Sequence, residues 1–152
     1  MSQAAYERIR MNSNFERIAS LHVEHPDFIW IPQLKRDRDV IAQLQAVKIL
    51  AQMPNAISSS MLTRTVLMRK YFYRIRTEAC RALINCAIPQ LGYLGLFHLL
   101  MLFRTNICID IPIKADRNPL DLICIPRAND FSDPAEYFLK KAMVHAFSRV
   151  RN

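Results

Sequence analysis

The sequence predicts a mainly α protein, an α-solenoid of about five helices with a short N-terminal β arm. Successive stretches of about twelve to eighteen residues carry apolar side chains on one side at helical spacing, separated by short breaks. Eight prolines punctuate the chain into such pieces, and only two glycines, Gly92 and Gly95, are present. That scarcity argues against a glycine-rich phosphate loop or dinucleotide turn. With 152 residues and 51% hydrophobic content, the chain suffices for one domain, or for the tail of one and part of another. No apolar run reaches the roughly 18 residues that span a bilayer. The charged residues Glu7, Arg8, Arg10, Glu16 and Arg17 argue against a secretory signal.

The elements follow in order. Tyr6 to Met11 and the end of FERIASLHVE (15–24) alternate apolar with polar residues, which predicts two short strands. Two strands are marginal alone, so they complete a larger sheet or pack on the helices as an arm. His25 to Pro32 reads as an extended connector anchored by Phe28 and Trp30. Asp37 is placed as an N-cap for a first helix over about 38–52, with Val40, Leu44, Val47 and Ala51 on one stripe. Pro54 ends it. Serines 58, 59 and 60 cap a second helix reaching Met68 or Arg69, and the two form a helical hairpin.

Phe72, Ile75, Ala79, Leu83 and Cys86 recur at steps of three and four and define the core stripe of a third helix, closed by Pro89. GYLGLFHLLMLFRTN (92–106) is apolar almost all round and reads as a fourth helix buried between neighbours. Residues 107–130 lose helical periodicity and read as a long connection. Asp133-Pro134-Ala135-Glu136 has the form of a capping box with proline at the first helical position, opening a fifth helix over about 134–151.

Twenty-one Lys and Arg against thirteen acids give a net charge of +8. Six basic residues and one acid lie between Met61 and Gln90, so five of the eight net charges sit in that stretch. On the third helix Lys70, Arg74, Thr77 and Arg81 fall within a sector of about 60°, opposite the core stripe. Lys70, Arg74 and Arg81 are therefore the candidate docking strip for acidic protein or phosphates, or else a solvated face. Tyr71 and Tyr73, interleaved with arginine, suit either core packing or base stacking.

Catalytic and metal chemistry are not expected. His22 and His25 point to opposite faces of a strand and have no third ligand nearby. Cys80, Cys86, Cys108 and Cys124 lie in apolar patterns that suit reduced core thiols of the cytosol or nucleus rather than a disulfide framework. His98 and His145 read as satisfied core or boundary imidazoles.

Three blocks, HPDFIWIPQLKRDRDVIAQLQAV (25–47), KYFYRIRTEACRAL (70–83) and NDFSDPAEYFLKKAM (129–143), resemble the helical-repeat region of the TBP-associated factor 2 family, subunits of transcription factor IID that are similar to zinc aminopeptidases. The resemblance spans nearly the whole chain. It implies HEAT-like helices over 36–152, following an arm and connector over 1–35 that end a β-sandwich domain. It further implies a nuclear, catalytically inactive scaffold without cofactor, metal or small-molecule substrate, whose partners are other TFIID subunits and the core promoter DNA backbone. Two other readings stand beside it: the helical C-terminal domain of an active zinc aminopeptidase, and a basic helical-repeat adaptor binding acidic partners or nucleic acid.

Overall fold

In the computed structural model, which describes residue 16 and residues 27–109 and 124–150, the first element is helix α1 (Asp27–Arg36). The extended-connector reading of this stretch is corrected from Asp27 onward. Trp30, Gln33 and Leu34 recur at three and four and are all buried, so one helical face is anchored although Pro32 removes an N–H within the helix. Phe28, expected as a second anchor, is 66% exposed. The two predicted strands lie outside the described residues.

Asp39, not Asp37, caps α2 (Val40–Gln52): its carboxylate accepts from the Ile41 N–H at 2.9 Å. Asp37 lies two residues earlier, its carboxylate accepting from the Asp39 N–H at 3.0 Å. The buried face of α2 is Ala42, Ala46, Val47 and Leu50, turned from the predicted stripe, in which Val40 is exposed. The Gln33 side-chain amide donates to the Ala42 carbonyl at 2.9 Å and fastens α1 to α2. Asn55, rather than a serine, caps α3 (Ala56–Leu67), accepting from the Ser58 N–H at 2.7 Å; Ser58 and Ser59 are buried inside the helix.

The third predicted helix is α4 (Tyr73–Ala82), which tightens into a 3₁₀ turn over Leu83–Cys86. Ile75, Ala79, Leu83 and Cys86 are each fully buried, as the stripe predicted. Phe72 is not: it is 46% exposed. It occupies the N-cap position with extended backbone, φ −56° and ψ 137°, so helical spacing does not govern where its ring goes.

A short 3₁₀ turn, Pro89–Leu91, leads through Gly92 and Tyr93, both at φ 56°, into α5 (Leu94–Ile107). α5 buries Gly95, Leu99, Leu102 and Ile107 but exposes Phe97, Leu100 and Met101, so it has one covered face and not the all-round burial its composition suggested. The two ends of the predicted long connection pair as a two-residue antiparallel ladder, β1 (Cys108–Ile109) with β2 (Ile125–Pro126). Cys108 and Cys124 form a disulfide across it, with a Cα–Cα distance of 5.3 Å, which corrects the expectation of four free thiols. The ladder brings two cysteines distant in sequence within bonding reach. Cys80 and Cys86 are free and buried. Finally α6 (Pro134–Phe147) starts at Asp133, whose carboxylate accepts from the N–H groups of Ala135 and Glu136 at 3.1 and 3.2 Å.

Among the described residues these six helices form three successive pairs, α1/α2, α3/α4 and α5/α6, each packed against its own partner. α1 touches α3 and α3 touches α5, while α2 touches α4 and α4 touches α6. The odd helices thus make one layer and the even helices the other, which is the layering of a helical solenoid. α4 is held by α2, α3 and α6, which explains why six of its ten residues are buried. No helix among the described residues is long and apolar enough to cross a membrane.

Candidate docking surface

α4 lies between α2 and α6, so the outward residues of the even layer form one continuous surface. Two grooves follow it. The first, with a volume of about 650 Å³, runs between Leu44 and Lys48 of α2, Tyr73, Arg74, Thr77, Glu78 and Arg81 of α4, and Phe138, Lys141, Ala142 and His145 of α6. The second is lined by Lys48, Ala51 and Gln52, by Glu78, Arg81 and Ala82, and by Asn85 and Arg149. Lys48, Glu78 and Arg81 line both, so the grooves join at the middle of the layer.

Two members of the predicted strip, Arg74 and Arg81, are on this surface and exposed. Arg74 lies over the Tyr73 ring, 6.0 Å from its centroid, and its Nε donates to the Tyr73 hydroxyl at 3.3 Å. Arg81 donates to Glu78 at 3.1 Å, one turn away. Both side chains of that pair are partly exposed, so it contributes little to folding. Lys70 is elsewhere: it precedes α4 in a turn, and its ammonium sits 5.0 Å from the Tyr71 ring centroid. The wheel extended the helix one turn too far towards the N-terminus. Lys48, Lys141 and Arg149 were not foreseen, because tertiary packing alone brings α2 and α6 beside Arg81. The signal present in sequence was local: Phe138, Lys141 and His145 at steps of three and four, and Leu44 with Lys48.

The two tyrosines separate. Tyr71 is buried at 4% exposure, and its hydroxyl pKa is raised by the loss of hydration. Tyr73 stacks on Phe138 of α6, with ring centroids 5.8 Å apart and planes inclined by 26°. The stacked pair gives the first groove an aromatic floor beside Arg74 and Lys141.

Behind the groove, Arg76 is 4% exposed, donates from Nε to the Val66 carbonyl at 2.8 Å, and donates through both terminal nitrogens to Glu136. Arg69 joins the same carboxylate at 3.4 Å. Glu136 was read as the second half of a capping box; its carboxylate goes instead to Arg76, so α6 is pinned to the α3–α4 corner.

The nucleophile candidates are shielded. Burial pushes the Cys80 thiol up to about 12, and burial also raises Cys86, against hydrogen bonds from Ser59 and the Asn55 backbone that lower it. His98 Nδ1 is 2.7 Å from the Ser59 hydroxyl, and desolvation lowers its pKa, so the imidazole ties α5 to α3. His145 lines the first groove, while His22 and His25 lie outside the described residues. Among the described residues no group of three or more His, Cys, Asp or Glu side chains is arranged to hold a metal ion.

A basic, aromatic-floored surface on the even layer of paired helices defines a helical-repeat module. Residues 27–152 match the family described as TAF2-like, TPR repeats, and the chain belongs to that family. Its repeats are named as the TPR type where the resemblance implied HEAT-like ones; both are stacks of helix pairs. The chain is 37% identical to Transcription initiation factor TFIID subunit 2 of Schizosaccharomyces pombe, over 100% of this chain and 12% of the relative. Against the Saccharomyces cerevisiae protein of that name it is 31% identical, over 97% of this chain and 10% of the relative. Against the Drosophila melanogaster protein it is also 31% identical, over 94% and 11%. The chain therefore spans about a tenth of the length of the curated relatives it matches. No solved structure matches it at a significant level.

Proposed function

We propose that this chain is a non-catalytic scaffold segment of the general transcription factor TFIID, supporting subunit assembly and core promoter engagement for initiation by RNA polymerase II in the nucleus. The observation that carries the reading is the match of the whole helical block to proteins named TFIID subunit 2. Its partners are other TFIID subunits, met in part through the exposed cations Arg74 and Arg81. Stacked helix pairs suit a part that holds other parts in place, and the deeply buried Cys80 suits no nucleophile.

The test is on the tagged parent protein, purified from nuclear extract. TBP and its associated factors are expected among the co-purifying chains, and their absence overturns the reading. The parent reading frame is expected to lack at least one ligand of a His-Glu-x-x-His zinc site. Reversing Arg74 and Arg81 together is expected to weaken association with the partner subunits in a salt-dependent way. A change confined to thermal stability removes the strip from the proposal.

A further inference from the structure

The even-layer groove combines three features that the scaffold reading does not explain. Cations line it from all three helices: Lys48 from α2, Arg74 and Arg81 from α4, and Lys141 and Arg149 from or beside α6. Glu78 is the one acid in the described linings of the two joined grooves, and it is already paired with Arg81. The same groove has an apolar part, the Tyr73–Phe138 stack with Leu44 and Ala142, which serves as its floor.

We propose that this groove receives an acidic segment of another protein, laid across α2, α4 and α6 in extended form, with carboxylates on the lining cations and an aromatic or aliphatic side chain on the Tyr73–Phe138 floor. Charge complementarity selects the sign of the occupant. The floor selects its class: duplex DNA brings charge but keeps its bases stacked inside the helix, with nothing to cover an aromatic platform, whereas an acidic peptide brings both. The size also suits a short peptide. Neighbouring helices lie about 8 to 10 Å apart, so three of them span about 20 Å, a distance that roughly six extended residues cover. The proposal deepens the scaffold reading and rests on it for the claim that the occupant belongs to a partner subunit; the binding itself does not depend on that claim.

The experiment uses the full-length parent protein and a fluorescein-labelled peptide of about ten residues in which Asp and Glu alternate with Phe and Leu. Saturable binding is expected. Arg81→Glu with Lys141→Glu is expected to weaken it at least tenfold, and Tyr73→Ala with Phe138→Ala at least fivefold, each variant being checked for an unchanged far-ultraviolet circular dichroism spectrum. A photoreactive group at the peptide's central Phe is expected to label α4 or α6 of the unaltered protein, a readout that needs no variant to fold. Labelling only outside α2, α4 and α6, unchanged affinity in the charge-reversed variant, or tighter binding of a duplex DNA probe that displaces the peptide from the same residues overturns the proposal. Failure of the peptide to bind while TBP and its associated factors still co-purify sinks the groove assignment alone. Loss of those partners with peptide binding intact sinks the scaffold reading alone.

Discussion

The Arg76 guanidinium donates to the Glu136 carboxylate at 2.8 Å across 60 positions of sequence, with only 5% of the arginine side chain exposed. A third hydrogen bond from the same guanidinium reaches the Val66 carbonyl at the end of α3. One side chain thus closes the corner where α3, α4 and α6 meet. Removing Glu136 leaves a buried cation with one carbonyl partner, and breaking buried pairs of this kind costs about 3 to 5 kcal/mol. Glu136→Ala is therefore expected to lower the stability measured by urea unfolding by that amount. Replacing both partners by apolar residues, Arg76→Met with Glu136→Leu, is expected to recover most of the loss. A double variant as unstable as Glu136→Ala counts against this account of the corner.

Phe72 and Ile75 belonged to one predicted stripe and are expected to behave differently. Ile75 is fully buried, so Ile75→Ala costs about 2 to 5 kcal/mol. Phe72 is 46% exposed and meets the Tyr73 ring edge-on at 4.7 Å between centroids, so Phe72→Ala costs about 1 kcal/mol. Parallel urea titrations of the two variants give the comparison, and equal losses return Phe72 to the core.

How far the sequence could be read follows from the range of the forces at each place. α6 was legible from its first residue because Asp133 and Pro134 act within one turn. The buried positions Ile75, Ala79, Leu83 and Cys86 were legible because helical spacing is also local. α1 was missed because Pro32 and the large rings were read as an extended run, whereas burial of Trp30 and Leu34 against the rest of the core favours a helix. Phe72 was misplaced because a wheel does not show where the first helical residue falls. The groove was half legible: Arg74 and Arg81 share a turn of helix, but Lys48, Lys141 and Arg149 join them only through the packing of the even layer. The Cys108–Cys124 bond was invisible for the same reason, since the β1–β2 register creates it.

The two glycines fail by different physics. A Cβ at Gly95 would run into the backbone of the preceding 3₁₀ turn, against the Leu83 carbonyl, 2.6 Å from the Cys86 carbonyl carbon and 2.7 Å from the Ala87 nitrogen. Backbone cannot swing aside as a side-chain tip can, so Gly95→Ala forces α5 away from the turn and costs about 3 kcal/mol, the upper end for overpacking. At Gly92 nothing lies within 4 Å of an added Cβ, but φ is +56°. Gly92→Ala is expected to cost only the left-handed penalty of about 1 to 2 kcal/mol. Thermal unfolding should rank Gly95→Ala well below Gly92→Ala, and hydrogen exchange should show the difference concentrated in α5.

His98 links two helices of the odd layer through Ser59, and its surroundings favour the neutral ring. Desolvation lowers its pKa in the folded chain below the ordinary 6.5. Below that ordinary value the unfolded chain binds the proton more readily than the folded one, so stability is fully present above pH 6.5 and falls as the pH drops through it, levelling off once the folded imidazole also takes up a proton. Urea midpoints measured from pH 7.5 down to about 5 should show that fall, and His98→Gln should flatten the part of the slope that belongs to this ring while keeping a polar partner for the Ser59 hydroxyl. A slope unchanged by His98→Gln would assign the pH response to another group and leave the Ser59–His98 bond as a neutral tether without a titrating role.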